Sequence, residues 1–373
     1  MFTYIIIGSL LYLILLINLP LLPNKSPGIT HLKAIRALLL IPLICFLFYL
    51  TVFRSFNVGT DYSMYHLFFS RGDYAQRFDL FIILIYDFAR NRGDFLLFTY
   101  IITGLFLVFN LIAIKKITFN FLVSFTFFIL SFYFFYIFNG MRQAVAISVV
   151  FIAIYFIQKE KMRTKDYFLY FMLILIAAQF HISAWFMLPL ILFRFFKINK
   201  AVIFIAFVLT GFGYFTPFIK DVLDDALLIF DFYATKYENT LDQFFSVNKE
   251  KSLSHFMPVV IQYSFLYYSF IIKKPQTLYE KFLTNYYLVF LFIYSASGVE
   301  AIDRIQLYFY PSIILFYDYF IHTIYTIKGS TERDGLLPVS KMVAMISISF
   351  WFLYFVLRVM QGTGGINPYE FMG

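Results

Sequence analysis

Charge is scarce in this chain. Asp, Glu, Lys and Arg make up 14% of its 373 residues, against roughly 25% in an ordinary soluble domain, and that shortage excludes a soluble globular protein. Cysteine is nearly absent too. The one instance, Cys45, rules out an internal disulfide framework and any cysteine-based metal cluster. No GxGxxG, Walker A or HExxH pattern occurs, so any reaction must draw its energy from the substrate itself. The first apolar run, "YIIIGSLLYLILLINLPLL", lacks the basic start and small-residue cleavage site of a signal peptide and reads as a retained span. Internal repeats, low-complexity tracts and Gly/Ser linkers are also missing.

What is present is apolar surface. Hydrophobic residues reach 61% and mean hydropathy is +0.79, in runs close to the roughly 20 residues that cross a bilayer. We therefore expect an all-α fold, a polytopic integral membrane helical bundle forming a single transmembrane domain over residues 1–373. About twelve spans are expected, near 3–22, 37–53, 95–114, 121–138, 143–157, 167–180, 182–196, 201–217, 256–272, 282–298, 305–325 and 342–360. The 54 Phe and 30 Tyr read largely as lipid-facing filler and interfacial belt.

Loop charge then sets the topology. One set of loops, from Lys25–Arg36 through Lys159–Lys165 and Arg194–Lys200 to Lys328–Lys341, holds 18 of the 30 basic residues against six acidic ones. The positive-inside rule makes these loops cytoplasmic and both termini external. The net charge of +9 thus reflects topology, and no nucleic-acid partner is expected. Two long loops, 54–94 and 218–255, fall on the external side, which is where function is expected. Within them, "RFDLFIILIYDFARN" (77–91) reads as an interfacial or re-entrant helix. The mixed acidic and aromatic stretch 221–251 reads as an amphipathic lid.

A second asymmetry concerns residue type. Basic residues at the external ends of spans are arginines, Arg54, Arg142, Arg304 and Arg358, and arginine presents a planar fork suited to phosphate. In "NGMRQAVAIS", Asn139 and Gly140 break one span while Arg142 and Gln143 open the next; "VEAIDRIQLYFYP" repeats the pattern with Arg304 and Gln306. A helix N-terminus beside a guanidinium makes an anion site. "AQFHISAW" supplies a third inward start with Gln179, His181 and Ser183. Finally, "RSFNVGTDYSMY" places Arg54, Gly59, Asp61, Tyr62 and Tyr65 in one external loop, read as an active-site loop. Structural roles for His181, as an interfacial histidine, and for Asp61, as an arginine partner, stay open.

At these residues the chain resembles the EpsG-like branch of the Wzy-type polysaccharide polymerases. The pieces are the "R…VGTDY..Y" loop, "GMRQAVA", "HISA", "DRIQLYF" and the final "NPYEF", in the expected order over most of the chain. The resemblance implies a GT-C-like architecture and a glycosyltransferase in the bacterial inner membrane that joins oligosaccharide repeat units on undecaprenyl diphosphate at the outer face, for O-antigen, capsule or exopolysaccharide. It implies lipid-linked donor and acceptor glycans and membrane lipid as partners, with a chain-length regulator and a flippase alongside. On this basis His181, Asp61 and Arg142 are the candidate catalytic residues, with either His181 or Asp61 as base. Arg54, Arg142, Gln143 and Arg304 are the diphosphate ligands, and Tyr62, Tyr65 and Ser183 the sugar contacts. No cofactor and no obligatory metal are expected, because guanidinium forks and helix N-termini meet the diphosphate charge; no compact set of external carboxylates stands near the helix ends, and Asp61, Glu300 and Asp303 are the ones that folding could bring together. The alternatives are an O-antigen ligase, using the same groups on another acceptor, and a flippase or transporter, which needs polar residues through mid-membrane. A surface-polysaccharide O-acyltransferase is disfavoured by the short cytoplasmic loops.

Overall fold

The computed structural model describes residues 2–19, 30–72, 78–216, 252–298, 300–326 and 336–371. The expected lid at 221–251, and the 218–255 loop apart from Ser252–His255, lie outside the described residues. Regular structure among those described is helical, with a lone antiparallel bridge between Arg54 and Phe371. The chain divides into two compact units, one comprising 1–157, 162–188 and 317–373, the other 158–161 and 189–316.

The first unit contains α1 (Phe2–Asn18), α2 (Thr30–Val52), α3 (Tyr62–Arg71), α4 (Leu80–Arg90), α5 (Phe95–Ile117), α6 (Phe121–Leu130), α7 (Met141–Ile157) and α8 (Thr164–Phe180). Helix α7 is its centre, packed on α5 and α8 and apolar nearly all round, as a fully enclosed helix must be. Starts are set locally by side-chain caps: Asp94 accepts from the Leu96 amide, and Asn120 from those of Leu122 and Val123, satisfying donors that a helix leaves unpaired. The second unit holds α9 (Lys200–Phe215), α10 (Leu253–Ile272), α11 (Leu278–Ile293) and the short α12 (Glu300–Gln306). Its α11 opens with a capping box of Thr277 and Glu280. Helix α13 (Pro311–Thr326) and a 3₁₀ helix, Ile182–Arg194, each cross a boundary between the units; α14 (Leu336–Met360) returns to the first.

Three described helices are long and apolar enough to cross a membrane: α5, α10 and the Val339–Met360 part of α14. Six more apolar helices, including α7 and α9, run 10–17 residues. Two expected spans are interrupted. The 121–138 run ends its α-helix at Leu130, turns at Phe132 with φ +71, and resumes as a 3₁₀ turn at Phe134–Phe138. The 305–325 run is divided into α12, a 3₁₀ turn and α13, which starts at Pro311, where a missing N–H does no harm.

The aromatic residues are less peripheral than their number suggests. Phe125, Phe127, Phe128, Phe134, Phe135 and Phe138 are all buried. Tyr4 meets Phe135 edge-on, with centroids 5.1 Å apart, the geometry that ring quadrupoles favour. Buried Asp318 on α13 accepts from the Phe119 and Asn120 amides at 2.6 and 2.9 Å and so fixes the entry to α6. That contact lies within the first unit.

Candidate functional site

The loop after α2 is held from two sides. The C-terminal tail clamps one side: the Ser55 amide donates to the Glu370 carbonyl at 2.8 Å, the Gly59 amide to Gly365 at 2.9 Å, and the Tyr369 hydroxyl to the Leu50 carbonyl at 2.8 Å. On the other side the Asn139 side chain, just before α7, accepts from the Thr60 amide at 2.7 Å. Gly59 has φ +93, and a Cβ there would lie 2.3 Å from the Phe138 carbonyl oxygen, so no other residue fits. The "VGTDY", "NG" and "NPYEF" segments thus meet at one place.

Arg54 is the floor of this arrangement. It is 0% exposed, just past the end of α2. Its guanidinium lies 4.0 Å over the Tyr62 ring and 4.8 Å over Phe138 and donates to the Thr51 and Phe138 carbonyls at 2.8 and 3.4 Å. Burial draws its pKa down to about 10, against an opposing pull from the Tyr62, Tyr4 and Tyr369 hydroxyls. Protein encloses this fork, the one expected to meet a diphosphate. Tyr62 and Tyr65 are likewise buried, at 0 and 3%. The first carries Arg54, and the carbonyl of the second accepts from the Tyr86 hydroxyl of α4 at 3.1 Å. In this arrangement both rings are covered by protein, not open to a sugar.

Asp61 stands at the surface of the same loop. It precedes α3 and accepts from the Thr60 hydroxyl at 2.9 Å. Close by in sequence, α4 turns Ile82, Tyr86 and Ala89 inward while Leu80, Leu84 and Phe88 are exposed, the two-faced pattern of an amphipathic helix.

Arg142 is the second residue of α7, where the sequence placed it. A cation at a helix N-terminus opposes the helix dipole, so something must offset it. Asp79, which precedes α4, does so at 3.6 Å, and the guanidinium also lies 4.5 Å over the Phe78 ring. The side chains of Arg142 and Asp79 keep 22% and 12% exposure, enough to meet a ligand. Gln143 is buried and accepts from the Tyr136 hydroxyl at 2.6 Å, which fixes the segment that turns into α7. Two residues beyond Asp79, Phe81 packs edge-on against Phe180 at 5.2 Å, and Phe180 adjoins His181. Helix α4 therefore ties Arg142 to His181.

His181 caps α8 at its C-terminal end, and its Nδ1 lies 2.6 Å from the Ser183 hydroxyl. The Ser183 amide also points at Nδ1, at 3.4 Å. An amide N–H only donates, so Nδ1 is the acceptor and the neutral ring carries its proton on Nε2. Ser183 itself is buried and serves the histidine. Arg304 belongs to the second unit. It sits in the last turn of the seven-residue α12 and not at the head of the long helix, because Pro311 starts α13 five residues after Gln306. Nearby, Asp303 accepts from the Gly298 amide at 3.2 Å. Sequence reasoning missed Asp79 altogether. An Asp before an apolar amphipathic run signals a helix start, but nothing announces its pairing with an arginine 63 residues on.

Neither the curated proteins nor the solved structures include a match to this chain. A protein-family match is found, and it spans residues 37–371, taking in the Arg54–Tyr65 loop, the head of α7, His181 and the tail that clamps them. On that match, over most of its length, the chain belongs to the EpsG family.

Proposed function

We propose that this protein is a membrane glycosyltransferase that polymerises polyprenyl-diphosphate-linked oligosaccharide repeat units at the outer face of the inner membrane. Family membership supports the polymerase class. The observation that carries the chemistry is Arg142, a partly exposed guanidinium at the head of α7 with Asp79 beside it and His181 reached through α4. A cation placed against the helix dipole is unfavourable for folding alone, and a guanidinium at the positive end of a helix makes an anion site.

In the proposed step a hydroxyl of the acceptor glycan attacks the anomeric carbon of the donor sugar. The new C–O bond forms as the sugar–phosphate bond breaks, and the electron pair leaves with the lipid diphosphate. Arg142 and the positive end of the α7 dipole take up that developing charge. His181, with its proton on Nε2, donates a hydrogen bond to a phosphate oxygen, which leaves Asp61 to receive the hydroxyl proton. Arg54, Tyr62 and Gln143 hold the loop and the α7 head in register and act through them. No step requires Arg304.

The experiment has two parts. Cells lacking the protein should accumulate lipid-linked single repeat units, so that a polysaccharide gel shows one short band in place of a ladder; an unchanged ladder sinks the reading. With purified enzyme and lipid-linked repeat units, Asp61→Asn should lower the rate by about 10²–10⁴-fold, the usual worth of a general base. His181→Gln, which keeps a donor near the Nε2 position, should retain more activity than His181→Ala. Equal loss in both histidine variants would remove the donor role.

A further inference from the structure

Three basic loops of the second unit come together around one buried arginine. The Nη2 of Arg194 donates to the Lys159 carbonyl at 3.1 Å and to that of Glu160 at 3.5 Å. The Glu160 carboxylate accepts from the Leu278 amide at 2.7 Å, and Lys273 pairs with Glu280 at 2.6 Å. Loop charge assigns all three segments to the cytoplasmic side.

Arg194 is only 6% exposed. No carboxylate pairs with it among the described residues, and its Nε and Nη1 have no hydrogen-bond partner. Two neighbouring amides are in the same condition. Asn285 donates to the carbonyls of Phe193 and Phe196 at 2.5 and 2.8 Å, bracketing Arg194, yet its Oδ1 is buried without a partner. Gln158, next to Lys159, has an equally orphaned Oε1. Such groups in a native protein ask for a missing partner. Water would satisfy the hydrogen bonds but not the charge, and an uncompensated buried guanidinium costs several kcal/mol. Glu160 and Glu280, acids of these loops, are already engaged, with Leu278 and Lys273 respectively. Lys197 and Lys200 follow within six residues and deepen the positive potential. The missing partner is therefore an anion that also carries donors for two amide oxygens.

We propose that Arg194 anchors a phosphate site on the cytoplasmic side of the second unit, occupied by the phosphodiester of an anionic phospholipid whose headgroup hydroxyls serve Gln158 and Asn285. Guanidinium and phosphate make short, charge-assisted bonds, and basic pockets between membrane helices on this side suit such headgroups. The site is independent of the proposed transfer reaction.

Native mass spectrometry of the full chain in detergent, titrated with phosphatidylglycerol, phosphatidylcholine or inorganic phosphate, tests this. Wild type should retain phosphatidylglycerol at least roughly tenfold better than phosphatidylcholine, the scale set by one charge-assisted hydrogen bond, and Arg194→Gln should bring that ratio close to one. Stabilisation against heat by inorganic phosphate as strong as by phosphatidylglycerol would keep the phosphate site and make its source a free anion. No preference in the wild type, or the same preference in Arg194→Gln, overturns the proposal. Should Arg194→Gln fail to accumulate, the wild-type ratio decides by itself.

Discussion

Arg54 and Arg142, two arginines of the same sequence class, sit in different surroundings. Arg54 is enclosed, with two carbonyls and two rings as its partners. Replacing it with Lys keeps the charge but loses the second donor and the flat stack. Each buried carbonyl left without a donor costs about 1–3 kcal/mol. Arg54→Lys should therefore lower the melting midpoint of the purified protein while leaving the donor KM of the folded fraction unchanged; a raised KM at unchanged stability would return Arg54 to the diphosphate. Arg142→Lys should do the opposite. Its stability should stay close to wild type, since a lysine still faces Asp79, while polymer formation falls because an ammonium cannot reproduce the bidentate fork. The same assay with EDTA asks whether the arginine meets the diphosphate charge unaided. Loss of wild-type activity to EDTA, restored by one divalent metal, would displace Arg142 as principal ligand.

At the scale of elements, the site is a junction of segments far apart in sequence, and the tail is the keystone. Gly59 sits between Gly365 on one side and the Phe138 carbonyl on the other. A methyl group there must displace the loop. Gly59→Ala should cost stability on the order of 1–3 kcal/mol from backbone strain and should abolish polymer formation. Ending the chain after Met360 should abolish it as well, with the protein still inserted in the membrane. Wild-type activity in the truncated protein would show that the tail does not support the loop. These junctions explain what the sequence could and could not reveal. Helices such as α5, α7, α8 and α10 were legible to within about three residues because caps and composition act locally. The break in the 121–138 run was not, since Phe132 adopts φ +71 with no Gly or Pro to announce it. The places of Arg142, Asp61 and His181, at the head of α7, before α3 and at the end of α8, were legible. Their neighbours Asp79 and Asn139 take their roles from contacts that local pattern does not encode, and burial of Arg54, Tyr62 and Tyr65 follows from packing across some three hundred residues of chain.

For the whole molecule, sidedness decides whether the site can meet a substrate presented outside. Loop charge places the Arg54–Tyr65 loop outside and the Lys159–Lys165, Arg194–Lys200 and Lys273–Lys281 loops inside. Contacts within each unit join loops of the same assignment. In the first, the end of α2, the head of α7 and the tail meet; all were assigned outside. In the second, Lys159, Glu160, Arg194 and Leu278 meet; all were assigned inside. A topology error that shifted one helix would have joined loops of opposite assignment, so the grouping supports the alternation while leaving its absolute direction to the charge rule. The direction can be measured. Ser63 is exposed on α3 and Lys161 is exposed beside Arg163, and the native Cys45 is exposed in α2 and must first be replaced. In a Cys45→Ala background, Ser63→Cys should react with a membrane-impermeant maleimide in intact spheroplasts, and Lys161→Cys only after the membrane is opened. The reverse pattern would put Arg142 and Asp61 on the face where no lipid-linked repeat unit awaits polymerisation, and the proposed reaction would fall with it.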